Sequence, residues 1–149
     1  MSEYRIRPKS NYLHTASLSE LYILSEHWKS DLDYYRDELN FLEELISMYY
    51  LWMKNEPFAE DLNNIVLGIK DMDILCAQLR ERTSQNMEHI ELLKENPFSH
   101  DEQRLRDDHL QLEEDITAFI KNFRIIKQSV FSETKQVLNH HRLQQLLNP

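Results

Sequence analysis

From Leu18 to Met53 an apolar or small residue recurs at alternating steps of three and four, with neither Pro nor Gly to interrupt it. The series is Leu18, Leu21, Ser25, Trp28, Leu32, Tyr35, Leu39, Leu42, Ile46, Tyr49 and Met53. A recurrence near 3.5 residues keeps one narrow stripe of a helix turned toward a neighbouring helix, as along a coiled-coil seam. The spacing returns as Leu62, Ile65, Ile69, Met72, Cys76, Leu79, Thr83, Asn86, Ile90 and Leu93. It returns again as Leu105, His109, Leu112, Ile116, Phe119, Phe123, Ile126 and Val130. With charged residues between the seam positions, the pattern predicts an all-α, antiparallel three-helix bundle with coiled-coil-like heptad packing.

Prolines and capping residues set the boundaries. Residues 1–14 show no helical period and contain Pro8, so they read as a flexible N-terminal arm ahead of a single helical-bundle domain at 15–149. Ser17-Leu18-Ser19-Glu20 is a capping box, in which the hydroxyl and the carboxylate each satisfy an orphan backbone amide. Breaks fall at Asn55-Glu56-Pro57-Phe58 and Asn96-Pro97-Phe98-Ser99, where proline removes a helical donor and restricts the residue before it. Ser99 and Glu102 offer a second capping box, and the predicted helices are about 17–54, 58–95 and 99–146. Connections this short join antiparallel neighbours. The segment Lys54-Asn55-Glu56-Pro57-Phe58-Ala59-Glu60-Asp61 is echoed by Lys94-Glu95-Asn96-Pro97-Phe98-Ser99-His100-Asp101. A duplicated helix and convergence on one turn solution both account for that echo.

Composition narrows the chemistry. A single glycine in 149 residues argues against phosphate cradles, dinucleotide turns and strained catalytic turns, all of which need positive φ or close backbone approach. That glycine, Gly68, sits beside the helix 2 seam, where it costs about 1 kcal/mol against alanine and marks a close helix approach. The lone Cys76 lies on the seam as a small hydrophobe and has no internal disulfide partner. With no signal-peptide core at the start and no apolar run of membrane-spanning length, the expectation is a cytoplasmic protein with no membrane span. The net charge is −9, yet residues 16–120 carry 24 acidic and 9 basic side chains, whereas residues 121–149 carry one acidic and five basic ones. An acidic body repels phosphate backbones, so nucleic acid is not an expected partner, and the basic tail is expected to run beside acidic neighbours.

Two constellations stand out once the helices are laid side by side at equal rise. At one end His27, His89 and His109 fall near one level, with Ser25, Thr83 and Asn86 on adjoining seam positions and Glu26, Glu88, Asp107 and Asp108 close by. Imidazole and carboxylate suit zinc or iron. The set resembles hemerythrin and the di-iron carboxylate bundles only in combining His and acid in a helical bundle. The Glu three residues before a ligand His is missing, since Leu24, Asn86 and Arg106 occupy those places. The expectation is therefore a polar layer that fixes register, with no metal and no cofactor. The acid runs Glu43-Glu44, Asp107-Asp108 and Glu113-Glu114-Asp115 read as solvated faces, and Asn139-His140-His141 as a wet stretch of helix 3.

At the other end the signal is hydrophobic excess. Leu45, Met48, Tyr49, Tyr50, Trp52 and Met53 crowd every side of helix 1, and a helix apolar all round must be covered all round. Helix 3 runs on past the expected end of helix 1, which lies level with residue 134, carrying Val137, Leu138, Leu143, Leu146 and Leu147. These side chains call for a second subunit, a partner helix or the N-terminal arm to bury them.

The run Trp28-Lys29-Ser30-Asp31-Leu32-Asp33-Tyr34-Tyr35-Arg36-Asp37-Glu38-Leu39 resembles helical segments of small uncharacterised bacterial all-helical proteins. The resemblance covers helix 1 and implies no function. Without a glycine loop, a nucleophile constellation or a matched metal motif, the functional expectation is a non-catalytic interaction or scaffold protein. It would associate, most simply as a homodimer, through the apolar bundle end and the helix 3 overhang. The alternative is an iron- or zinc-binding bundle with a redox or oxygen-handling role centred on the histidine layer.

Overall fold

The computed structural model describes residues 15–53, 59–97 and 101–147, without the side chains of Trp52, Met53, Ala59 and Gln144. Three long helices, α1 (Leu18–Met53), α2 (Ala59–Glu95) and α3 (Glu102–Leu147), pack against one another as an all-α bundle, with no strand among the described residues. The predicted N-terminal arm, the Pro57 break and Ser99 lie outside the described residues. No described helix is long and apolar enough to cross a membrane.

Local chemistry explains where the helices begin. Ser17 Oγ accepts the backbone N–H of Glu20 at 3.1 Å, which is the serine half of the predicted box. At α3 the described cap is Asp101. Asp101 Oδ1 accepts the N–H of Arg104 at 3.1 Å, so the helix starts at Glu102 rather than at 99. A carboxylate there satisfies an orphan donor and also opposes the positive end of the helix dipole.

The heptad seam is the interior. Of the seam residues with described side chains, only Leu18, Tyr49, Ile65 and Ile126 are half-buried, and all the others are buried. Cys76 is enclosed with the rest, its Sγ 3.4 Å from the Leu32 carbonyl oxygen. The seam of α3 continues beyond Val130 through Thr134 and Val137, further along the helix than the apolar spacing alone reached.

Contacts divide the chain into two compact units, one comprising residues up to Arg36 with Leu75–Ile120, the other Asp37–Ile74 with residues from Lys121 on. In the first unit, Ala16, Leu21, Ile90, Leu93 and Leu105 form an apolar cluster flanked by Leu18, Tyr22, Leu24 and Leu110. Arg106 is 8% exposed beside it, its guanidinium donating to the Ala16 carbonyl at 2.8 Å and to Glu102 at 3.1 Å. Arg80 pairs with Asp33 at 2.7 Å and Arg82 with Asp115 at 2.8 Å. Tyr35 meets Phe119 edge-on with ring centroids 5.9 Å apart.

In the second unit, Gly68 allows the close approach that its place beside the seam predicts. A Cβ added there would lie 2.8 Å from Ile126 Cδ1, closer than real methyl groups come. On another face Lys127 stretches over the rings of Phe123 and Phe131, 6.0 and 5.8 Å from their centroids. Its ammonium reaches Glu38 at 3.5 Å, a pairing of basic tail with acidic body.

Candidate interaction surface

The residues expected to form the apolar end belong to the second unit, where helix geometry fixes how they are presented. On α1, Leu45, Tyr49 and Tyr50 are half-buried, while Met48 is 52% and Leu51 71% exposed. Trp52 and Met53 have side chains outside the described set. Tyr50, Leu51 and Ser47 on α1 face Asn63 and Val66 on α2 across a groove of about 390 Å³. Three of those five side chains are apolar or aromatic, and the groove opens one turn of helix from the end of α1.

Along α3 the exposure rises toward the end. Val137 is fully buried by the chain itself, so this residue does not belong to a free surface. Leu138 is half-buried, whereas Leu143, Leu146 and Leu147 are 54%, 79% and 70% exposed. The pairing of Gly68 with Ile126 sets the register of α2 against α3. Followed at equal rise, it brings the start of α2 at Ala59 level with Lys135. The three terminal leucines therefore stand about 12–18 Å beyond the start of α2 at 1.5 Å per residue. Their spacing puts them on one side of the helix.

The polar layer lies in the first unit. Ser25, Thr83, Asn86 and His109 are all buried there, as seam positions require. Thr83 Oγ1 donates back to the Leu79 carbonyl at 2.7 Å. Ser25 Oγ lies 3.0 Å from the Leu21 carbonyl and 3.4 Å from Asn86 Oδ1. Asn86 Oδ1 in turn lies 2.5 Å from His109 Nδ1, a contact satisfied when the imidazole carries its proton on that nitrogen. The far face of the ring rests on Trp28, centroids 4.5 Å apart.

The histidines do not converge as a ligand set. His109 is interior, His27 is exposed, and His89 is half-buried on the wall of a cavity of about 300 Å³ that Asn86, Arg82 and Asp108 also line. Among the described residues no group of three or more His, Cys, Asp or Glu could hold a metal ion. What the heptad pattern left unseen is the part of Trp28 in this layer, because a seam position specifies burial but not which ring it meets.

Two acids in the second unit form a smaller feature. Glu133 Oε2 is buried without a hydrogen-bond partner beside a cavity that Asp61, Asn64 and Ser129 also line. Loss of hydration, followed by the charge of Asp61, holds the Glu133 carboxyl above its ordinary range. No protein-family model, no curated protein and no solved structure matches this chain.

Proposed function

We propose that this chain is a non-catalytic interaction protein of scaffold type, which associates through the apolar end of α1 and the projecting end of α3, most simply with a second copy of itself. The observation that carries this reading is the exposure of Met48, Leu51, Leu143, Leu146 and Leu147, at 52%, 71%, 54%, 79% and 70%. Scattered exposed hydrophobes are ordinary on protein surfaces, but these gather at the ends of two helices of one unit. The polar features have structural work to do: the Ser25, Asn86 and His109 layer fixes the pairing of three helices.

Met48→Glu and Leu143→Glu test the reading. Both side chains are more than half exposed, so the charge leaves the fold intact. Each variant is expected to run at a smaller hydrodynamic size than the wild-type chain at equal concentration, with unchanged helical circular dichroism. Identical sizes for all three chains would contradict it.

A further inference from the structure

We propose that the projecting α3 leucines of one copy, Leu143, Leu146 and Leu147, seat in the groove between α1 and α2 of a second copy, and reciprocally. The inference rests on the self-association reading and specifies how the two copies meet. The groove of about 390 Å³ presents Tyr50, Leu51 and Val66 as its apolar lining. The projecting segment presents leucines at i, i+3 and i+4, the side-chain set by which an amphipathic helix enters such a groove.

The α3 leucines of the same chain cannot fill its own groove. α3 is continuous from Glu102 to Leu147, so it carries its leucines away from the groove of its own chain and cannot turn back. In an end-to-end pair of copies that projection becomes the means of reaching the other groove. Asn63 and Val66 lie about 6 and 10 Å inside the start of α2, within the 12–18 Å by which the leucines overhang that same point.

Charge selects the same occupant. One helical turn from the groove lining stand Glu43 and Glu44 on α1 and Glu60 on α2, with Lys70 a turn beyond Val66. The projecting α3 segment brings exposed Arg142 beside its leucines, and residues 121–149 hold Glu133 as their one acid. Opposite charges around an apolar contact fix its orientation and disfavour like-with-like docking of two acidic grooves. A two-fold arrangement uses both grooves and both projections, leaving neither exposed.

Two single-cysteine preparations, Leu51→Cys and Leu146→Cys, each in a Cys76→Ser background, would be oxidised mildly alone and as an equimolar mixture. The expected result is a disulfide-linked dimer in the mixture that joins one chain of each kind, at least tenfold above either homotypic product. Leu143→Glu/Leu146→Glu and Leu51→Glu, read by sedimentation, should each raise the self-dissociation constant at least a hundredfold. A stable dimer that links preferentially Leu51→Cys to Leu51→Cys would overturn the groove contact while leaving association through these ends standing, and one that tolerates all the glutamates would overturn both. A wild-type chain that stays monomeric at high micromolar concentration would overturn both.

Discussion

His109 Nδ1 lies 2.5 Å from Asn86 Oδ1, joining α3 to α2 through a contact between two buried side chains. Removing one member leaves the other buried with a lost bond, at about 1–3 kcal/mol, whereas apolar replacement of both avoids that penalty. Asn86→Leu and His109→Phe are each expected to lower stability by about that much. The double variant should lose at least about 1 kcal/mol less than the sum of the two. Urea unfolding followed by circular dichroism checks this, and strictly additive losses would contradict the linkage.

Gly68 and Ile126 make a second coupled pair. Alanine at Gly68 gains about 1 kcal/mol of helix propensity but meets Ile126 Cδ1 at 2.8 Å. Ile126→Val deletes that methyl. Gly68→Ala should therefore stabilise little in the wild-type chain and by about 1 kcal/mol more in the Ile126→Val background. Equal gains in the two backgrounds would show that Ile126 does not constrain this position.

Glu133 gives the chain a pH signature. Its carboxyl is raised by lost hydration and by Asp61, so between the ordinary glutamate value and the raised one the folded chain binds more protons than the unfolded chain. Falling pH through that window stabilises the fold, and above it the buried charge weighs against folding. Glu133→Gln should raise the melting temperature at pH 7, and the difference should vanish by about pH 4, near the ordinary value. A difference independent of pH would refute it.

The seam should respond to charge far more than the outer faces do. Leu39 and Ile116 are 1% and 4% exposed, so Leu39→Asp or Ile116→Asp is expected to cost more than about 4 kcal/mol and abolish a cooperative melt. Glu43→Ala should change stability by less than about 0.5 kcal/mol. Cooperative melting of both aspartate variants would refute the seam.

The 3.5-residue spacing made the fold legible because burial on a helix depends on angular position. Ser25, Thr83, Asn86 and His109 are polar, yet each is buried because it sits on the seam, while His27, off the seam, is exposed. Level alone could not separate these cases, since residues at one height still point in different directions. Asp101 was legible as a capping type ahead of Arg104, but Ser99 offered the fuller box with Glu102. Val137 was legible as apolar, but polar Thr134 interrupts the apolar series ahead of it, so the seam could be followed that far only once both were found buried.

Association through the exposed ends of α1 and α3 is tested most directly by the mass of the full chain in solution, measured by light scattering over a concentration series from low to high micromolar. The expected result is a rise from 18.1 kDa toward twice that value, with Met48→Glu and Leu143→Glu held at the lower mass across the series. A wild-type mass of 18.1 kDa throughout, indistinguishable from both variants, would contradict it.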